Sequence, residues 1–174
     1  MTEPNSLKEG EPPKFKIEEF KPEYTEQVKS VVHTVLSDLG LVGQKSPVEK
    51  PEEPNRDADL DEILKIYCGK GKFWVAVSGG KVIGTVAIRD MGNKTAKLNR
   101  MFVLTNLHGV GVGQALINQA IIHARQQGFE EVLLNTDKVM QRAHHFYERN
   151  GFQLTGVREN QSRDYRLDLR KPVW

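Results

Sequence analysis

Leu107-His108-Gly109-Val110-Gly111-Val112-Gly113-Gln114-Ala115-Leu116 joins two segments of different periodicity. Before it, Leu98, Met101, Phe102 and Val103 form an apolar run of strand character. After it, residues 115–127 set Leu116, Ile117, Ala120, Ile121 and Ala124 on one face of a helix that Gly128 ends. A strand, alternating glycines and a helix N-terminus make an anion site. Glycines let the backbone approach a phosphate, and the unpaired amides and positive dipole end of the first turn point at it. A nucleotide-like pyrophosphate is the first ligand these residues suggest.

Spacing narrows the choice. The nucleoside-triphosphatase loop requires Gly-Lys followed by Ser or Thr, and Gly113 is followed by Gln114. The dinucleotide fingerprint requires a glycine where Gln114 stands, on the first strand of its unit, and here several strands precede the loop. A glycine-rich turn that binds nothing stays open on the loop alone.

Three blocks in order extend the reading. His108-Gly109-Val110-Gly111-Val112-Gly113 resembles the Arg/Gln-x-x-Gly-x-Gly/Ala signature of the GNAT superfamily of acyl-CoA-dependent N-acetyltransferases. Ala143-His144-His145-Phe146-Tyr147-Glu148-Arg149-Asn150-Gly151-Phe152 is similar to the family's Ala-x-x-Phe-Tyr-x-x-x-Gly-Phe segment, with Asn135 at a usual polar position before that helix. The third block is Phe73-Trp74-Val75-Ala76-Val77, the turn Gly79-Gly80, and Val82-Ile83-Gly84-Thr85-Val86.

Length and composition agree with a single domain. The chain has 174 residues, 38% of them hydrophobic and 28% charged, with a formal charge of +2. That charge is too small and dispersed to argue for nucleic acid, and no apolar run approaches a membrane span. The polar N-terminus has no secretory or transit character, and one cysteine, Cys68, excludes an internal disulfide; both suit a cytoplasmic location. Cys68 reads as a partly buried structural thiol at a helix end rather than a nucleophile.

Residues 1–13, with three prolines, read as a disordered tail, and residues 14–174 as one domain. Phe15-Lys16-Ile17 alternates as a strand. Val28, Val31, Val32, Val35, Leu36 and Leu39 share a helical face before Gly40. Residues 43–56 read as a proline-rich loop. Asp57 or Asp59 caps a second helix whose Leu60, Ile63, Leu64 and Tyr67 share a face. A hairpin turns at Gly79-Gly80, and a second turn at residues 90–94 leads into the strand before the loop. Strands at 132–136, 152–157 and 165–169 and a short helix bearing Met140, Ala143, Phe146 and Tyr147 complete the order β-α-α-β-β-β-α-β-α-β-β. That order agrees with the GNAT fold, an α/β architecture with a strongly bent mixed sheet and helices on both faces.

The resemblance implies transfer of an acetyl group from acetyl-CoA, the co-substrate, to a primary amine of a small molecule or peptide. Amides around Gly109, Val110, Gly111, Val112, Gly113 and Gln114 would hold the pyrophosphate, with His108, Asn135 and Ala143 completing the cofactor site. Phe102 and Val103 would pair with the pantetheine arm and the thioester oxygen, and such an amide also stabilises a tetrahedral oxyanion. Tyr147 matches the family's proton donor to the departing thiolate.

Two departures stand out. Lys97 and Asn99 occupy positions where many relatives carry Glu or His as the base; a bound water, Asp57, Asp59 or Asp90 could replace it, or the amine could need none. His108 stands where Arg or Gln is usual, and can still donate to a phosphate. Strand alternation turns Arg100 to the face opposite Asn99. His144 and His145 point about 100° apart on a helix and read as surface residues, with no metal site implied. Many family members are homodimers, though no residue here demonstrates it. The missing base keeps a non-catalytic acyl-CoA-binding role open, and transfer of a longer acyl group is a third reading.

Overall fold

The computed structural model describes residues 11–41 and 58–172. The tail expected at the N-terminus lies outside the described residues up to residue 10, as do the 43–56 loop and Asp57.

Among the described residues seven strands form one sheet: β1 (Lys16–Glu19), β2 (Lys72–Ser78), β3 (Lys81–Asp90), β4 (Thr95–Val103), β5 (Glu131–Thr136), β6 (Gln153–Val157) and β7 (Arg163–Asp168). Their spatial order is β1-β2-β3-β4-β5-β7-β6. Only β4 and β5 run parallel; the other neighbours are antiparallel. The helices are α1 (Thr25–Asp38), α2 (Ala58–Asp61), α3 (Ile63–Ile66), α4 (Val112–Gln126) and α5 (Gln141–Arg149).

Alternation along β2 shows how the two faces are covered. Trp74 and Ala76 enter an apolar cluster with Leu116, Ile117 and Ala120 of α4 and Tyr147 of α5. Phe73, Val75 and Val77 enter a second cluster with Val28, Val31 and Val32 of α1, Leu60 of α2 and Ile63 of α3. The sheet is therefore a mixed one with helices on both faces, as the element order predicts.

Four sequence expectations need correction. The helix expected around residues 60–67 is broken at Glu62 (φ −127°, ψ 38°), which rotates Leu64 out to 59% exposure. Asp59 lies inside α2 rather than capping it, and Cys68 is exposed in the turn beyond α3. His144 is buried against the sheet beside Tyr165, while its neighbour His145 is exposed. Burial holds the His144 imidazole below its ordinary pKa, with Arg163 nearby adding to the effect.

Candidate functional site

β4 leaves its parallel neighbour early. It pairs with β5 only through Thr95, Ala96 and Lys97, but stays with β3 as far as Val103. A cavity of about 660 Å³ opens beside the unpaired part of β4, within the range of small-molecule sites. Met101, Phe102 and Val103 line one wall; Ala143, Phe146 and Tyr147 of α5 line another, with Gly109, Gly111 and Gly113 among the remaining lining residues.

A β-bulge in β4 sets this edge. Thr85 pairs with Phe102 and Ala87 with Asn99, so Val86 faces both Arg100 and Met101. Arg100 takes a left-handed backbone (φ +52°), and its carbonyl accepts a 2.7 Å hydrogen bond from Thr85 Oγ1. The extra residue shifts the alternation, so Met101 and Val103 pack on the α4 side and Phe102 on the α1 side. It also overturns the expected placement of Arg100. Asn99 and Arg100 meet the same network: Arg100 Nε donates to Asp59 at 3.0 Å, Tyr67 donates to Asp59 at 2.7 Å, and Asn99 donates to Tyr67 at 3.4 Å.

Backbone direction separates the two residues expected to meet a thioester. The Leu104 amide donates to the Ile83 carbonyl at 3.1 Å. Alternation then turns the Phe102 backbone toward β3 and that of Val103 toward the open edge. Phe102 lines the cavity, but its amide is not the one that faces outward.

The glycine loop presents the opposite pole. Gly109 and Gly111 take φ +83° and +92°, and Gly111 is the N-cap of α4. The helix begins at Val112, earlier than periodicity indicates, so Gly113 and Gln114 belong to its first turn. Ala115 is the first residue here whose amide is bonded, to Gly111 O at 3.0 Å; the amides of residues 109–114 have no acceptor among the described residues. Six consecutive free N–H groups at a helix N-terminus can hold a phosphate-type anion. Val112 is fully buried and Val110 packs against the core, so these two offer backbone only.

The remaining expected residues divide. Tyr147 lines the cavity at 5% exposure, and burial raises its pKa well above the ordinary phenol value. The Gln114 side chain bridges to Asn118 and Asn150. Asn135 is not brought to the cavity: its amide donates to Asp164 Oδ1 at 2.9 Å on β7. His108 lies on the cavity wall, bound on one side to Val103 O and on the other to Arg142. Sequence reading missed Arg142 and Arg149 of α5, which also line the cavity. Their spacing of seven residues, two helical turns, was the available signal.

Neither visible carboxylate candidate for a base is suited to that role. Asp90 caps the Gly92 amide at 2.9 Å, in the hairpin turn between β3 and β4. Burial alone would raise the Asp59 pKa, but hydrogen bonds from Arg100 and Tyr67 outweigh it and hold the carboxyl below its ordinary value. Asp59→Ala would leave the Arg100 guanidinium, 12% exposed, without this partner. The expected loss lies toward the low end of the ~3–5 kcal/mol range for breaking a buried pair, measured by chemical denaturation. A depressed folded-state pKa contributes stability above the unfolded value of about 3.9 that is lost as pH falls through the folded value. The stability gap between wild type and Asp59→Asn is therefore expected to be constant from neutrality down to about pH 5 and to shrink below pH 4.

The model of the Acetyltransferase (GNAT) family matches residues 44–152. The chain belongs to the GNAT acetyltransferase family. Mouse N-acetyltransferase 8 is 41% identical over 106 residues, covering 56% of this chain and 46% of that protein. An N-acetylaspartate synthetase from Xenopus tropicalis is 40% identical over 105 residues, covering 59% of this chain and 39% of that protein. The chain spans about half the length, or less, of these curated relatives. Among solved structures, a GNAT-family acetyltransferase from Staphylococcus aureus Mu50 superposes with TM-score 0.76 at 20% identity, over 90% of this chain and 99% of that one. The PaiA N-acetyltransferase from Thermoplasma acidophilum, solved with coenzyme A, gives 0.72 at 16% identity, over 89% and 99%. These likenesses establish the GNAT fold of the chain. Among the described residues no helix is long and apolar enough to cross a membrane.

Proposed function

We propose that this GNAT chain transfers an acetyl group from acetyl-CoA to a primary amine, by direct attack of the amine on the thioester carbonyl. The observation that carries the proposal is the run of six free amides at residues 109–114, in a loop whose glycines line the same cavity as the unpaired edge of β4. Diphosphate on the loop would lead the pantetheine arm along that edge. The outward Val103 amide, or that of Met101, would donate to the thioester oxygen and to the oxyanion that forms from it.

Tyr147 fits the leaving-group side. Its raised pKa keeps the phenol protonated, so it would stabilise the departing thiolate as a hydrogen-bond donor. The proton itself would come from the ammonium formed in the attack. With Asp59 tied to Arg100 and Tyr67, deprotonation of the incoming amine falls to solvent water. The frog relative's name specifies an acetylated amino acid, which supports a small-molecule amine as acceptor. We place the activity in the cytoplasm, a reading supported by the lone, exposed Cys68.

Purified protein incubated with acetyl-CoA and a panel of amines is expected to release free thiol with at least one of them. Acetyl-CoA binding without thiol release across a broad panel would replace transfer by an acyl-CoA-binding role, the alternative that the engaged Asp59 favours.

A further inference from the structure

His108 occupies the position at which the loop motif usually carries Arg or Gln, and hydrogen bonds engage both of its ring nitrogens. Its Nε2 lies 3.1 Å from the Val103 carbonyl, which can only accept, so Nε2 must carry the proton. Its Nδ1 lies 3.2 Å from Arg142 Nη1, which can only donate, so Nδ1 must be bare. Together the two contacts require the Nε2–H tautomer, with both nitrogens engaged. The ring ties the last residue of β4 to the first turn of α5, and all three residues line the same cavity.

Arg142 is in a different condition. Its guanidinium has five N–H donors, and its hydrogen bond to His108 leaves the others available. It has no carboxylate partner among the described residues. It lines the same cavity as Gly109, Gly111 and Gly113, whose loop offers unpaired amides. Amides can satisfy the oxygens of a diphosphate but bring no full positive charge, and a guanidinium matches phosphate oxygens in a planar fork.

We propose that Arg142 is the cation that meets the diphosphate of the acyl-CoA substrate, and that His108 is its positioning residue. This rests on the reading of the cavity as an acyl-CoA site. On this reading the positive charge at the diphosphate comes from α5 rather than from the glycine loop. His108 holds the guanidinium at the loop through Nδ1 while Val103 O fixes the ring.

The test measures binding by the full chain of three probes: CoA, 3′-dephospho-CoA and pantetheine, the last by ligand-observed NMR. Arg142→Ala is expected to weaken CoA and 3′-dephospho-CoA equally, by about 10- to 100-fold, the usual range for a lost charge-assisted hydrogen bond. Pantetheine, which has no phosphate, is expected to bind unchanged, and so is the melting temperature without ligand. His108→Ala should reproduce part of the loss, and His108→Gln, which can both donate to Val103 O and accept from Arg142, should restore it. Equal loss on all three probes would make Arg142 a structural residue and overturn the inference. A loss confined to CoA would assign Arg142 to the 3′-phosphate and overturn it too, and so would wild-type affinity in Arg142→Ala. Wild-type protein that binds none of the probes would overturn the acyl-CoA reading itself, together with this inference.

Discussion

Gly111→Asp is expected to lower acetyl-CoA affinity by about 1,000-fold, because a like charge set against the ligand costs several kcal/mol. Gly111 is the N-cap of α4, between amides that have no acceptor among the described residues. A β-carbon built there meets nothing within 4 Å, so the new carboxylate would project into the open space where phosphate oxygens are expected. The fold pays a separate and smaller penalty. Gly111 has φ +92°, and a side chain in the left-handed region costs roughly 1–2 kcal/mol. For a domain of this size that corresponds to a fall of about 2–8 °C in Tm. Gly111→Ala carries the same backbone strain without the charge, so calorimetric titration of both variants isolates the electrostatic part. Equal affinity for the two would mean that no anion approaches Gly111.

Tyr147→Phe is expected to reduce kcat and kcat/KM together by about 10- to 100-fold, with acetyl-CoA binding within a few-fold of wild type. A hydrogen bond to a charged partner contributes about 1.5–3 kcal/mol, and this one forms only as the thiolate departs. A full general acid would contribute about 10²–10⁴. The structure favours the smaller figure, because a phenol whose pKa is raised by burial holds its proton too tightly to surrender it to a thiol leaving group. The residual rate should therefore keep the pH dependence of wild type. The ring left by the substitution would retain the edge contacts of Tyr147 to Phe146 and Phe152, whose ring centroids lie 5.6 and 5.7 Å away. No hydrogen bond to the hydroxyl is present among the described residues, so stability should be unchanged or slightly higher. Full activity under conditions where chemistry limits turnover would remove Tyr147 from the reaction.

Local pattern sufficed for the elements and for one pole of the site. The unbroken apolar run Phe73-Trp74-Val75-Ala76-Val77 specifies a strand buried on both faces, and the period near 3.6 in Val28, Val31, Val32 and Val35 specifies α1. Gly109 and Gly111 announce a phosphate-sized turn because the left-handed backbone they adopt strains any other residue. These features depend on near neighbours in the chain, and a sequence records near neighbours directly.

What the tertiary structure decided depends on pairs distant in the chain. The bulge at Arg100 arises from register against Thr85 and Ala87, and by adding one residue it reverses which side chains face which helix. It brought Arg100 to Asp59, over 41 residues, and withdrew that carboxylate from service as a base. His144 is buried and His145 exposed because α5 docks one side on β7, a choice that neither residue's identity encodes. The hydrogen-bond partners of His108 are a carbonyl on β4 and a guanidinium on α5. Hydrogen-bond direction fixes a proton only once the partners are in place, and folding alone brings those partners together.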